Sequence, residues 1–147
     1  MNEKIMPTTC FFICAVLEVI LRFLFPIVII NSPLLYIGIL MIIFGAWINI
    51  WTDNLFKRNK TSVKPYEESE VLIISGPFTF TRNPMYLGMF VFLLGISLLT
   101  GAVSTILLVI AFFIIINIWY IPPEEKMLEE KFGSEYLEFK SKVRKWI

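Results

Sequence analysis

Four stretches of this chain are apolar and almost free of charge, at about residues 10–30, 34–51, 85–100 and 102–121. Crossing ~30 Å of hydrocarbon takes ~20 apolar residues in a helix, so the first and last runs are long enough outright, and the third is short. Within lipid every backbone N–H and C=O must find a partner inside the protein, which leaves helices for runs this uniform. The expected class is therefore all-α: a multi-pass membrane protein of four transmembrane helices, with a central polar loop and amphipathic C-terminal helices. Composition agrees, since 57% of residues are hydrophobic, 17% are charged and the mean hydropathy is +0.76, too apolar for an ordinary soluble domain. At 147 residues there is room for one domain, 1–147. The lipid bilayer is the expected partner, and a net charge of +1 gives no reason to expect nucleic acid.

The charges that do occur are gathered. Of the 13 Lys and Arg residues, all but Arg22 lie in the leader, in the central polar stretch up to Arg82, or in the tail. The tight turns at Asn31-Ser32-Pro33 and Thr100-Gly101 hold none. With four spans the three charged segments share one side, which the positive-inside rule makes cytoplasmic. The first run lacks a small-residue cleavage site, so it reads as a retained span.

Several residues within the runs are marked by type or spacing. Glu18 and Arg22 stand four apart on one face of the first helix, where they can form a structural pair or serve a function. Pro26 is expected to kink that helix, and Trp47 and Trp51 to anchor the second at the interface. Gly88 and Gly95, seven apart, would let a neighbouring helix approach closely. Asn117 is expected to face the bundle interior. Cys10 and Cys14, one turn apart in an apolar run, read as small packing residues rather than a metal or redox pair. The chain has no histidine, which removes most zinc and triad chemistry; no metal is expected.

The segment from Ser75 to Gly88 lies where a polar loop meets an apolar run. Gly76-Pro77 and Asn83-Pro84 both break regular structure, and Pro84 suits the first position of the next helix. Between them an extended backbone is expected, with Phe78 and Phe80 alternating with Thr79 and Thr81. Pro122-Pro123 is expected to end the fourth span, with a new helix opening at Glu124, where acidic side chains suit the dipole. In the tail, 123–147, Gly133-Ser134 should separate two short amphipathic helices, Gly stopping one and Ser capping the next.

These residues carry a resemblance. Gly76-Pro77-Phe78-Thr79-Phe80-Thr81-Arg82-Asn83-Pro84-Met85-Tyr86-Leu87-Gly88 resembles the Gly-Pro-Tyr-x-x-x-Arg-His-Pro-x-Tyr-x-Gly signature of the isoprenylcysteine carboxyl methyltransferases and their phospholipid methyltransferase relatives. A second block follows at the family's spacing: Glu124-Glu125, Leu128, Phe132-Gly133, Tyr136 and Val143. Two spaced blocks make the match specific. It implies an integral membrane enzyme that uses S-adenosylmethionine, a cofactor made in the cytosol.

The resemblance also implies roles. Glu70, Val71, Leu72, Ile73 and Phe78 would line the adenosine side. Asn83, Pro84, Met85 and Tyr86 would contact the cofactor at the start of the third helix, and Glu124 would hold its ammonium. The catalytic positions implied are Arg82, Tyr120 and Glu125, with Arg82 and Glu125 able to pair and lock the two blocks together. Three positions depart from the family pattern: Asn83 stands for the usual His, Glu70 for a frequent His, and Tyr120 for the Arg that handles a prenylcysteine carboxylate. The acceptor therefore stays open among a prenylcysteine-like carboxylate, a lipid amine and a thiol. A small four-helix transporter using Glu18, and a non-catalytic membrane protein retaining the fold, are the alternative readings.

Overall fold

The computed structural model describes residues 6–25, 33–60 and 71–147. Pro26, Asn31-Ser32 and Glu70 lie outside these residues, as does most of the central loop. The described residues are mostly helical, and no strand occurs among them. α1 spans Pro7–Leu24, α2 Pro33–Arg58, α3 Pro84–Thr100, α4 Val103–Ile115, α5 Ile121–Phe132 and α6 Ser134–Lys142. Among the described residues three helices are long and apolar enough to cross a membrane, at Pro7–Leu24, Leu35–Arg58 and Ser104–Phe132, and Pro84–Thr100 is a shorter apolar helix. Their outward faces carry Phe12, Phe23, Leu40, Ile43 and Leu107, all exposed, as side chains solvated by lipid should be.

α2 and α3 pack most closely. Gly38 and Gly45 of α2 face Gly95 and Gly88 of α3, and a Cβ on Gly45 would stand 2.5 Å from the Gly88 carbonyl oxygen. The glycines of α3 thus admit α2, which brings its own matching pair. At the far end α3 closes on Gly101, left-handed at φ 65°, whose N–H reaches back to Ser97 and Leu98; such an ending suits a residue without a side chain. A hydroxyl cluster supports the turn, Ser97 Oγ lying 2.7 Å from Thr105 Oγ1. The core between α1, α3 and α4 is made by Cys14, Tyr86, Met89, Leu93, Val109, Phe112 and Ile116.

The largest departure from expectation is at Pro122-Pro123, which do not end the last apolar helix. A π-helical turn, Ile116–Tyr120, joins α4 directly to α5. Two successive prolines lack the N–H groups that would bond the carbonyls a turn earlier. The wider π turn takes up that mismatch just before them, and the prolines then fall in the first turn of α5, where no N–H is required. The span and the first tail helix are therefore one bent rod.

Smaller corrections have equally local causes. α2 continues seven residues beyond Trp51, to Arg58, with Asp53 and Lys57 pairing at i,i+4. Gly76–Thr79 is a 3-10 turn rather than extended chain, since Pro77 holds a φ compatible with turning and Gly76 takes φ 61°. Gly133, at φ 52°, separates α5 from α6 and is itself the cap of α6, with no side-chain cap from Ser134. Glu18 does not pair with Arg22: it is fully buried, and both carboxyl oxygens lack a hydrogen-bond partner among the described residues.

Candidate active site

One end of the bundle gathers the start of α1, the end of α2, the start of α3 and the junction of α4 with α5. A cavity of about 240 Å³ opens there. Val71, Leu72, Ile73 and Phe78 form one wall, and Asn83, Pro84, Met85 and Tyr86 form another, with Arg82, Glu124 and Glu125 beside them. The two sequence blocks, some forty residues apart in the chain, thus meet around one space.

The Tyr86 hydroxyl donates to Glu124 Oε1. Each residue is placed by a proline: Tyr86 lies two residues into the helix that Pro84 opens, and Glu124 just beyond Pro122-Pro123. Neighbouring residues of a helix point about 100° apart, so Glu125 faces a different partner. Arg82 donates from Nε and Nη2 to Glu125 Oε1 at 3.1 and 2.8 Å. Side-chain exposures of 10% and 14% make this a largely buried pair, and Lys140 Nζ approaches the other Glu125 oxygen at 3.5 Å.

Arg82 also binds the C-terminal tail. Its Nη1 donates to the carbonyls of Lys140 and Val143 at 3.1 and 2.8 Å, and its backbone N–H to Arg144 O at 3.0 Å. Thr81 Oγ1 and Asn83 Nδ2 both donate to Lys145 O, at 3.1 and 3.0 Å. Beyond them Trp146 Nε1 donates to Asn117 Oδ1 at 3.1 Å and packs on Phe113, ring centroids 4.9 Å apart. The signature turn is thereby clamped between α5 and the tail, which is what an arginine with five donors in a fixed fork can do.

Tyr120 is elsewhere: it ends the π turn, 6% exposed within the core, and is not part of the cavity wall. Sequence reasoning did not anticipate Met6, which precedes α1, Pro7 and Thr8 of α1, Phe56 of α2, or Met127, Tyr136 and Phe139, all of which line the cavity. Phe56 became visible only with the longer α2; its ring meets Phe78 edge to face at 5.8 Å. Tyr136 was within reach, because it belongs to the second sequence block. Among the described residues no group of three Cys, Asp or Glu side chains comes together as a metal set.

The phospholipid methyltransferase family profile matches residues 34–135, more than half of the chain. The chain belongs to this family. Over 84 residues it is 39% identical to protein-S-isoprenylcysteine O-methyltransferase of Saccharomyces cerevisiae, covering 55% of this chain and 34% of the yeast protein. It is also 44% identical over 63 residues to an uncharacterized protein of Haemophilus influenzae, covering 43% of this chain and all of that one. The chain thus spans about a third of the yeast relative's length. Family and relative together point to a membrane methyltransferase, and both sequence blocks that surround the cavity fall within or beside the matched region.

Proposed function

We propose that this chain transfers a methyl group from S-adenosylmethionine to an apolar or membrane-associated acceptor, in the cavity at the junction of α3 and α5. The observation that carries the reading is chemical. A cavity with largely apolar walls is lined by two carboxylates: Glu125, paired with Arg82, and Glu124, which is oriented by Tyr86 and forms no ion pair among the described residues. That donor set fits a ligand with a flat apolar base at one end and an ammonium at the other. When bound, S-adenosylmethionine supplies a methyl carbon already activated by its sulfonium.

The chain's own residues then bind, align and exclude water. Val71, Leu72, Ile73 and Phe78 offer apolar surface for the base. Glu124 would hold the ammonium, in place for a cation before the ligand arrives. Arg82 and Glu125 fix the distance between the two walls, and the tail behind them keeps water from that side. No strong base is needed if the acceptor arrives as a carboxylate or thiolate, so a chain without histidine is compatible with the reaction. Tyr120 lies in the core where prenylcysteine enzymes are expected to carry an arginine, which favours a thiolate, a lipid amine that reaches the cavity already deprotonated, or another small apolar acceptor.

Four crossings follow in this reading, α3 being the shortest at 17 residues, ~25 Å of helix at 1.5 Å per residue. Among the described residues, the cavity end of the bundle carries every Lys and Arg but Arg22, and in this reading it lies on the cytoplasmic side, where the cofactor is made. The transporter alternative rested on Glu18, which is not part of this cavity. Calorimetric titration of the purified full chain with S-adenosylmethionine tests the reading: saturable binding supports it, and no binding rejects it.

A further inference from the structure

The last two turns of α2 carry a second recess, on the outside of the bundle. Trp51, Asn54, Leu55 and Arg58 stand at i, i+3, i+4 and i+7, hence on one helix face, and line a space of about 250 Å³. None of them belongs to the cavity wall. Gly76 closes one side, where a Cβ would lie 3.2 Å from Leu55 Cδ2 and 3.6 Å from Trp51 Nε1.

The recess is rich in uncommitted donors. The Trp51 indole, the Asn54 amide and the Arg58 guanidinium make no hydrogen bond or ion pair among the described residues. Asp53, the nearest carboxylate in sequence, is taken by Lys57. The Leu55 carbonyl, at the negative end of the helix, already accepts from the Asn59 backbone and side chain at 3.2 and 2.8 Å. Arg58 is thus the one charge lining the recess, and nothing described there balances it.

Deeper along the same face the helix turns aromatic. Trp47 lies beside Trp51, ring centroids 5.0 Å apart, and Phe44 stacks on Trp47 at 5.7 Å. Trp47 and Phe44 are both about half exposed. From Phe44 to Arg58 the face runs ~21 Å at 1.5 Å per residue, passing from rings to an interfacial tryptophan and then to a cation. A phospholipid standing in one leaflet has the matching order, chains first and phosphate last.

We propose that this face of α2 holds one anionic phospholipid, its phosphate on Trp51, Asn54 and Arg58 and its chains along Trp47 and Phe44. The unbalanced charge of Arg58 selects the headgroup, because a zwitterionic lipid would bring a second cation towards the guanidinium. The site is separate from the cavity and does not depend on what the cavity binds. Its lipid would brace the signature turn from outside, since Trp51 also meets Phe80 at 6.4 Å.

The test counts ligands bound to the purified full chain by native mass spectrometry in detergent. Phosphatidylglycerol, phosphatidylcholine and soluble glycerol 1-phosphate are titrated separately. The unmutated protein should hold one phosphatidylglycerol roughly five-fold more tightly than phosphatidylcholine, the contribution of one basic residue near a membrane surface. Arg58→Gln should abolish that preference. Lys126→Gln, which removes an exposed cation outside the recess, should keep it. Equal loss in the two variants would mean diffuse attraction and overturn the proposal. Glycerol 1-phosphate binding as tightly as phosphatidylglycerol would make this a free-phosphate site and overturn the lipid assignment. Should Arg58→Gln not fold, equal affinity of the unmutated protein for the two lipids overturns the proposal by itself.

Discussion

Gly45 of α2 and Gly88 of α3 meet backbone to backbone, and a Cβ on Gly88 would lie 2.8 Å from the Gly45 carbonyl oxygen and 2.5 Å from Asn49 Nδ2. The amide of Asn49 can move aside, but the Gly45 carbonyl cannot without parting the helices. Gly88→Ala should therefore destabilise the protein by about 1–3 kcal/mol, the usual cost of overpacking. Leu40→Ala, on the lipid-facing side of α2, should change little. Thermal unfolding in one detergent compares the two, and an unchanged midpoint for Gly88→Ala would mean that the helices are free to separate. Because Gly88 lies within one helical turn of Pro84, Met85 and Tyr86, which line the cavity, the Gly88 variant should also weaken any ligand bound there.

Arg82 holds Glu125 and the tail at once, and a lysine cannot do both. Arg82→Lys keeps the charge but offers one nitrogen in place of a planar fork. Loss of one partner from a buried pair costs about 3–5 kcal/mol, and Lys140, 3.5 Å from Glu125, should hold the cost near the lower end. The sharper readout is local. Amide exchange over residues 143–147 should speed up in Arg82→Lys well before global unfolding; unchanged protection there would place the tail's anchor elsewhere.

How much of this was legible in the sequence depends on whether the signal was local. Pro84 at a helix start and Gly133 between two helices act through their own backbone angles and are readable from residue type. The paired blocks around Arg82 and Glu125 were readable as a family pattern. The path of the chain through Pro122-Pro123 was not, because a π turn upstream absorbs what would otherwise end the helix. Nor was the partner of Gly88, since spacing on α3 shows that a helix approaches without saying which. Glu18 and Arg22 share a spacing that allows a pair, yet Glu18 turns into the core, where Cys14 also lies, and Arg22 does not follow. Phe56 and the start of α1 reach the cavity only through tertiary packing, which no local pattern records.

Asn117 and Trp146 give the tail its outer anchor. Trp146→Phe keeps an aromatic ring beside Phe113 and Phe90 but removes the donor to Asn117 Oδ1. A neutral hydrogen bond contributes about 0.5–1.5 kcal/mol net, so the loss of stability should be small. Trp146→Ala should cost several times more, because the ring is lost as well. If the two variants unfold at the same midpoint, the hydrogen bond rather than the stacking holds the tail.

Glu124 decides the cofactor reading. Glu124→Gln removes the charge while keeping the shape and the oxygen that receives the Tyr86 hydroxyl. A hydrogen bond to a charged group is worth about 1.5–3 kcal/mol, so affinity for S-adenosylmethionine should fall roughly ten- to a hundred-fold. The control must be a glutamate that does nothing at the site. Glu129 is unsuitable, because it binds Lys140 at 3.3 Å beside Glu125. Glu130, with a side chain 69% exposed and, among the described residues, paired with the surface residue Lys126 at 3.7 Å, is the better choice, and Glu130→Gln should bind as the unmutated protein does. The charge argument adds a second condition: S-adenosylhomocysteine keeps the ammonium but lacks the sulfonium, so both ligands should lose affinity by the same factor. A loss confined to S-adenosylmethionine would move Glu124 from the ammonium to the sulfonium, and equal affinities across all variants would place the site away from this cavity.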